Sequence, residues 1–371
     1  MIRIVDKSKC CGCTACYASC PYDAIRMVED RLGFKYPQVD MGKCVGCGIC
    51  DRVCPYNAAS YSAASPIKIY AARNRDESTR MGSSSGAVFP VAASNVLKKK
   101  GLVYGAAFVD DETSEVAHIC VASSEEVKRI YGSKYVQSDM RDCFREIRTL
   151  LKQGNTVLFS GTPCQVAGLI SSVGKNKEKL YTMACACHGV PSPKVWSMYS
   201  KEVRGCTKEI SFRDKSTGWK GYQIRIGEYS SPAFKDPYMK AMLKGLTLRP
   251  SCLDCIFKAK SCGSDLLAGD WWGIAKLAPE MDDGKGTSAL LVNSQKGFEL
   301  IEGECLELKE MQELDDAGNG GFNRRVYKAC DTEELASKLE RTDSVYALLK
   351  VMAEDSVMTK IRRRIKKYLG R

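Results

Sequence analysis

Histidine and long apolar runs are scarce in this sequence of 371 residues. Only two histidines occur, His118 and His188, so zinc or copper sites built on imidazole are disfavoured. No apolar run approaches the roughly 20 residues of a transmembrane helix, and the N-terminus has no signal-peptide core. We therefore expect a cytoplasmic protein with no membrane-spanning segment.

Nucleotide-binding fingerprints are also missing. No dinucleotide motif and no P-loop occur, and the nearest match, Gly82–Gly86, fits neither phosphate-binding pattern. The net charge of +12 resembles that of a nucleic-acid-binding protein, but no recognition motif accompanies it. Binding to nucleic acid is therefore not expected.

Cysteine, in contrast, is abundant, with 20 residues in the chain. Disulfides are rare in a reducing cytosol, so a disulfide framework does not account for them. Thiolate ligation of metal is the remaining explanation. Iron–sulfur clusters are the preferred interpretation, and zinc sites built on cysteine alone are the alternative.

Two copies of one cysteine pattern occupy residues 1–60. Each copy is C-x-x-C-x-x-C-x-x-x-C followed by proline, a spacing that places three thiolates on one loop and sends the fourth to the other cluster. This rule assigns one [4Fe–4S] cluster to Cys10, Cys13, Cys16 and Cys54, and a second to Cys44, Cys47, Cys50 and Cys20. A zinc ribbon or unligated thiols would be the alternative, and Cys11 is the spare thiol. The segment resembles bacterial two-cluster ferredoxins along its whole length.

The chain changes character after the predicted linker Ala58–Pro66. Apolar runs now alternate with helical patterns, which favours an α/β domain. The predicted strands are Ile67–Ala72, Leu102–Val109, Thr156–Phe159, Lys179–Cys185 and Ala289–Asn293. The predicted helices are Ala87–Lys99, Ser124–Tyr131, Met140–Lys152 and Gln165–Val173. From Thr332 onward the periodicity is helical and ends in a basic run, interpreted as a solvated helix end.

The predicted fold class thus combines α+β and α/β parts. A small two-cluster ferredoxin-type domain is expected at residues 1–62 and a larger α/β domain at 67–300. A C-terminal extension at 301–371 is expected to be helical with a basic end.

Four segments of the larger domain carry residues suited to chemistry. They are SGTPCQ (Ser160–Gln165), ACHGVPSP (Ala186–Pro193), LRPSCLDC (Leu248–Cys255) and GDWWG (Gly269–Gly273). Together with SSSGAVF, SKYVQSD, FRDKSTGW and GKGTSALLVN, they resemble the beta subunit family of coenzyme F420 hydrogenases and dehydrogenases. The resemblance runs from about Arg80 through Asn293. It implies a bound flavin, FAD or FMN, with an iron–sulfur cluster beside it.

The resemblance also implies particular site residues. The flavin-contacting residues would be Ser84, Ser85, Gly86, Gly161, Thr162, Pro163 and Gln165. Lys134 and Arg213 would pair with anions of the flavin or the substrate. A third [4Fe–4S] cluster is predicted on Cys164, Cys187, Cys252 and Cys255, because strand ends in an open α/β sheet converge on one crevice. Cys185 and Cys262 are rival ligands, and four ordinary buried thiols are the alternative.

These features predict an iron–sulfur flavoprotein oxidoreductase, since clusters carry single electrons and a flavin exchanges one or two. The expected partners are ferredoxin or another redox protein and a small-molecule or deazaflavin (F420-like) substrate; catalytic residues are left open. A non-catalytic electron-transfer subunit and a cluster-bearing structural or sensing module are the alternatives. His188 is expected to be a hydrogen-bonding support, and Trp271 and Trp272 are expected to be core and rim residues.

Overall fold

The computed structural model describes most of the chain. The described residues are 1–57, 65–110, 114–206, 209–258, 262–314, 319, 321–323, 326–328 and 331–354. Most of the predicted linker and the basic C-terminal run lie outside the described residues. No helix in the described part is both long and apolar enough to cross a bilayer.

The N-terminal region consists of two short helices and one hairpin. Helix α1 (Ala15–Ala18) and helix α2 (Ile49–Arg52) each follow a cysteine loop. Strand β1 (Ile25–Glu29) pairs antiparallel with β2 (Lys35–Val39) between them. This repeated arrangement confirms the small ferredoxin-type domain expected from the sequence.

The larger domain is built on an eight-stranded mixed sheet and a separate three-stranded sheet. Its strands are β3 (Lys68–Asn74), β4 (Leu102–Asp110), β5 (Glu115–Val121), β6 (Val157–Gly161), β7 (Leu180–Cys185), β8 (Ile210–Asp214), β9 (Gln223–Ile226), β10 (Tyr229–Pro232), β11 (Leu266–Asp270), β12 (Ser288–Val292) and β13 (Leu306–Met311). The large sheet has the order β13-β3-β12-β11-β7-β6-β4-β5, and the small one is antiparallel with the order β10-β9-β8.

Helices cover both faces of the large sheet and follow it at the C-terminus. They are α3 (Glu77–Met81), α4 (Val88–Lys98), α5 (Cys143–Lys152), α6 (Pro163–Val173), α7 (Pro193–Val203), α8 (Pro237–Leu243), α9 (Ile274–Leu277), α10 (Gln295–Leu300), α11 (Thr332–Arg341) and α12 (Val345–Met352). The predicted mixed α/β architecture with C-terminal helices is confirmed.

Four neighbouring strands of the large sheet, β4, β6, β7 and β11, run parallel. Their carboxyl ends therefore lie at one edge of the sheet. Strand β12 is antiparallel to β11, and Ser288 at its start pairs with Asp270 at the same edge. The segments that follow β6, β7 and β11 are three of the four segments singled out in the sequence.

One buried cluster joins the two domains. It contains Phe144, Val166 and Phe159 of the larger domain together with Cys13 and Ala15 of the N-terminal region. Burial of each large apolar side chain of this kind stabilises a fold by about 1.5–3 kcal/mol. The ferredoxin-type domain is thus packed into the core of its neighbour.

Two element predictions need correction. Residues Ser124–Tyr131 were expected to be an α-helix, but this stretch contains only a short 3-10 helix at Glu126–Ile130. The C-terminal extension was expected to be helical, but it begins with strand β13, which pairs with β3 at the sheet edge. The sequence LELKEM alternates partly between apolar and charged residues, as a strand does. Its Glu and Lys residues have low strand propensity, which is why the strand was not predicted.

Candidate functional site

The first cysteine set lines a single cavity under the N-terminal loop. Cys10, Cys13, Cys16 and Cys54 all contribute to its wall. Gly12 has a φ of 69°, which lets the loop turn between the first two thiols. Three of the thiols come from one loop and the fourth comes from the second repeat, as the spacing predicts.

The second set lines a matching cavity nearer the surface. Its wall includes Cys20, Cys44, Cys47 and Cys50. Backbone N–H groups already point at two of these sulfurs, from Ile2 to Cys50 at 3.2 Å and from Ala24 to Cys20 at 3.4 Å. Such N–H···S contacts are the usual support for cluster thiolates. The donor set therefore fits a [4Fe–4S] cluster, and the ligand assignment stays a prediction.

The spacing of these thiols does not suit a single metal ion. Within the described residues, no three Cys, His, Asp or Glu side chains converge closely enough to bind one ion together. In a cubane each thiolate binds a different iron, so the ligands surround a volume instead of a point.

Two paired loops form the candidate third site. Pro191 and Leu248 form a β-bridge, and the amide of Arg249 donates to the carbonyl of Val190 at 3.0 Å. This pairing places the loop after β7, which holds Cys187, beside the loop that holds the C-x-x-C. The amide of Val190 also lies 3.5 Å from Sγ of Cys252.

The four predicted thiols of the third site face one another. Cys187 interacts electrostatically with Cys164, Cys252 and Cys255. Burial and the neighbouring thiols raise the pKa of Cys252 to about 11 and that of Cys255 to about 12. Four such groups ionise together only if cations compensate their charge, which iron would do. The residues present therefore fit a cluster.

The two rival ligands have different surroundings. Cys185 is exposed at the end of β7, close to Cys164 and Cys187. Cys262 is buried, and its Sγ lies 3.3 Å from the hydroxyl of Ser264. Cys262 interacts with Cys185 and not directly with the four predicted ligands in the described part of the chain, so it sits at the margin of the group.

Cys11, interpreted from the sequence as a spare thiol, lies between two of the candidate sites. It is buried, and its thiol lies beside those of Cys13 and Cys164. Helix α6 also approaches this point, because a Cβ on Gly168 would lie 2.6 Å from Sγ of Cys13. The spacing of the repeat gives no sign of this position. Only its extra thiol beside a ligand could have drawn attention to it.

Arg213, predicted to pair with an anion, lies at the sheet edge beside Asp270 and Ser84. Arg213 is buried and forms a bidentate pair with Asp270 at 2.9 and 3.0 Å. Its guanidinium also donates to the carbonyl of Ser84 at 3.0 Å and contacts Tyr135 at 3.2 Å. Burial opposes its charge, but Asp270 holds the pKa of Arg213 above its usual value.

Ser84 and Ser85 form hydrogen bonds with other residues of the protein, and Gly86 packs closely against the backbone. The Ser84 hydroxyl accepts from the amide of Ser133 at 2.7 Å, and that of Ser85 donates to the carbonyl of Thr287 at 3.0 Å. A Cβ on Gly86 would lie 2.1 Å from the carbonyl oxygen of Ala72. Close backbone packing by itself accounts for this glycine.

Lys134 follows Ser133, and its ammonium group bonds to backbone carbonyls. Its Nζ donates to the carbonyls of Ile130 at 2.9 Å and Tyr131 at 2.8 Å. Burial lowers the pKa of Lys134 to about 7, while these carbonyl oxygens favour the protonated form. In this position Lys134 caps the end of the 3-10 helix.

The turn after β6 is held by a buried hydrogen-bond network. Thr162 and Gln165 form a capping box at the start of α6, and Pro163 occupies its first turn. Gln165 also donates to the hydroxyl of Ser138 at 3.0 Å. That hydroxyl lies 3.0 Å from Nδ1 of His118, whose Nε2 lies 3.1 Å from the carbonyl of Ser160. Gly161 and Cys164 are thus presented by a rigid turn.

The sheet edge offers features suited to an anionic aromatic group. Within the described part of the chain, Nε of Arg213 is buried without a hydrogen-bond partner. The guanidinium stacks over Tyr222 at 4.0 Å and Trp272 at 5.0 Å. Lys215 is nearby, and burial lowers its pKa to about 8. A spare donor, cations and aromatic rings fit a flavin here.

The remaining predicted residues have structural surroundings. His188 lies 2.8 Å from the hydroxyl of Tyr327 and 3.3 Å from the carbonyl of Leu243, which suits a supporting role. Trp271 is buried in the core, and Trp272 stacks on Trp219 with ring centres 4.6 Å apart. This agrees with one core and one rim residue.

The fold joins a small ferredoxin-type domain to a larger mixed α/β domain. Residues 9–58 match the family model of the 4Fe-4S dicluster domain. Residues 154–314 match the model that describes the C terminus of the coenzyme F420 hydrogenase/dehydrogenase beta subunit. The family resemblance predicted from the sequence is therefore confirmed.

One solved structure of similar fold is a chain of the F420-reducing [NiFe] hydrogenase complex from Methanosarcina barkeri, in a xenon derivative. The two chains are 15% identical with a TM-score of 0.51, and the match covers 75% of this chain and 88% of the other. At this identity the likeness concerns the fold alone. A search of curated proteins finds no match.

Proposed function

We propose that this protein is an iron–sulfur flavin-dependent oxidoreductase acting on a small-molecule or deazaflavin substrate. The observation that carries the proposal is a row of thiols from the surface to the sheet edge. Cys16 of the first site lies within electrostatic reach of Cys50 of the second, and Cys11 lies beside both Cys13 of the first site and Cys164 of the third. Sites in such contact suit electron transfer between them.

Each part of the chain would hold one cofactor. The two N-terminal thiol sets would bind one [4Fe–4S] cluster each, and Cys164, Cys187, Cys252 and Cys255 would bind a third. Arg213 and the neighbouring turn Ser84–Gly86 would bind the flavin, FAD or FMN. When bound, the clusters supply one-electron transfer and the flavin supplies the conversion between single electrons and hydride.

The surrounding residues determine how exposed each site is and how a bound group would be oriented. Cys47 is exposed, so the second site is open to a redox partner such as ferredoxin. The first site is covered by the larger domain, which keeps water from it. Arg213, fixed by Asp270, would orient an anionic group and stabilise negative charge on it.

The proposal is tested by cofactor analysis of the anaerobically reconstituted full chain. We expect extractable flavin and about twelve irons per chain, four for each cluster. The double variant Cys252→Ala/Cys255→Ala should keep about eight. A matched control, Cys206→Ala/Cys305→Ala, removes two exposed thiols and should keep the full iron content. Eight irons in all three proteins would eliminate the third site, and absence of flavin would eliminate the flavoenzyme.

A second candidate is an electron-transfer subunit without catalysis of its own. It is favoured by exposed apolar side chains at the second site, Tyr22 and Val45, which are 51% and 60% exposed. The structurally similar hydrogenase chain comes from a complex as well. Turnover of a small-molecule substrate by the isolated chain would reject this candidate.

A further inference from the structure

Arg249 is a fully buried cation between the two domains, with an exposed fraction of 0%. Its guanidinium donates to the carbonyls of Cys10 at 2.7 Å and Lys35 at 2.9 Å and to the Gln137 side chain at 2.9 Å. Nη2 also lies 3.8 Å from Sγ of Cys10. Within the described residues, no carboxylate forms an ion pair with it.

A buried charge without an opposite charge is costly, so this arrangement needs compensation. The ring of Tyr36, 4.2 Å from the guanidinium carbon, provides a cation–π contact but no formal charge. The thiols within electrostatic reach are those of Cys10, Cys11 and Cys252, and binding of clusters would make Cys10 and Cys252 anionic thiolates.

The second cysteine set faces no buried cation among the described residues; the N-terminal ammonium of Met1 lies near Cys44 and Cys50, but it is exposed and pairs with Asp51. Its sulfurs receive backbone amides from Ile2 and Ala24. Arg52 donates to the carbonyl of Cys47 at 3.2 Å, but its side chain is exposed and solvent screens its charge. The two sites therefore differ in the fixed charge that faces them.

We propose that Arg249 is a positioning residue that supplies fixed positive charge to the site of Cys10, Cys13, Cys16 and Cys54. It thereby makes a cluster there easier to reduce than one held by Cys20, Cys44, Cys47 and Cys50. Reduction adds a negative charge, which a buried cation stabilises more than an exposed one does. The inference rests on the proposed function, because it requires both clusters. Its consequence is that an electron arriving at the exposed site is drawn inward, toward Cys11 and Cys164.

The test is a redox titration of the anaerobically purified full chain followed by electron paramagnetic resonance. In Arg249→Gln, the more readily reduced N-terminal cluster should become harder to reduce, while the other cluster keeps its potential. Arg249→Lys keeps the charge and should recover most of the shift. Arg80→Gln is the matched control, because Arg80 is also buried but pairs with Asp283 in the larger domain.

Unchanged potentials in Arg249→Gln, or equal shifts of both clusters, would overturn the inference. If that variant does not load with iron, Gln137→Glu decides the question. It places a carboxylate against the guanidinium, and the same cluster should again become harder to reduce. The iron content of the wild type distinguishes failure of the proposed function from failure of the Arg249 inference alone. A wild-type chain without clusters refutes the proposed function, whereas loaded clusters with unshifted potentials refute only the role of Arg249.

Discussion

Arg213 and Lys134, for which the sequence predicts the same role, have different surroundings in the structure. The sequence places both at the flavin or substrate. In the structure, the guanidinium of Arg213 faces Asp270 and keeps a spare donor, whereas the amine of Lys134 binds backbone carbonyls. Residue type alone could not separate them, because the direction of each side chain depends on contacts distant in sequence.

We therefore predict that Arg213→Gln and Lys134→Gln differ in their effects. Loss of the Arg213 charge removes a charge-assisted hydrogen bond of about 1.5–3 kcal/mol, so flavin affinity should fall about tenfold or more. Lys134→Gln should reduce stability and leave flavin affinity near that of the wild type. Flavin titration and urea unfolding check the pair. Equal losses of affinity would restore the role predicted from the sequence.

His118 gives a pH dependence that can be measured. Burial lowers the pKa of His118 to about 4, and its ring is held neutral between Ser138 and Ser160. The unfolded chain, with the ordinary histidine value, binds a proton more readily between about pH 6.5 and 4. The free energy of unfolding should therefore fall by about 3 kcal/mol as the pH drops through this window.

The check is urea unfolding of the wild type and of His118→Gln at several pH values between 7 and 5. The variant should be less stable at neutral pH but should lose less stability on acidification. A variant with the same pH dependence as the wild type would show that other groups cause it.

In helix α6, intrinsic helix propensity favours alanine at position 168, whereas packing against the cysteine loop favours the glycine that is present. In an isolated helix, Gly168→Ala should stabilise by about 1 kcal/mol. Here the new methyl group would lie 2.6 Å from Sγ of Cys13 and 2.9 Å from its Cβ. We therefore predict a lower melting temperature and an altered spectrum of the first cluster. Ser171→Ala, a partly exposed site on the same helix, is the control. Stabilisation by both substitutions would mean that α6 can move away from the cysteine loop.

The elements also show how far the sequence alone could go. The two cysteine repeats and the main strands β3, β4, β6, β7 and β12 were predictable, because thiol spacing and apolar runs are local signals. Strand β13 was not, since its pairing with β3 is long-range and half of its residues are charged. The position of Cys11 against Cys164 was equally hidden, because only the docking of two domains creates it.

At the scale of the whole molecule, the two domains share more contacts than the predicted linker at Ala58–Pro66 would suggest. The sequence predicts that a chain starting near Ile67 still binds flavin and reacts with small artificial donors. The structure connects the domains by more than a linker. Tyr17 donates to Asp142 at 2.8 Å, Lys35 pairs with Asp139 at 2.7 Å, and Arg31 pairs with Glu340 at 2.7 Å on α11.

We therefore predict a different result for a chain beginning at Ile67. Removal of the N-terminal domain uncovers Phe144 and Val166 of the shared core and takes Cys11 from beside Cys164. Exposed core residues of this size should lower the melting temperature and promote aggregation. The candidate third site should then hold fewer than the four irons of an intact cluster. Thermal unfolding, size-exclusion chromatography and iron content measure these effects, with the substitution Val5→Ala, at an exposed position, as a control in the full chain. A soluble, monomeric fragment with about four irons and bound flavin would instead establish that the larger domain is complete without its ferredoxin-type neighbour.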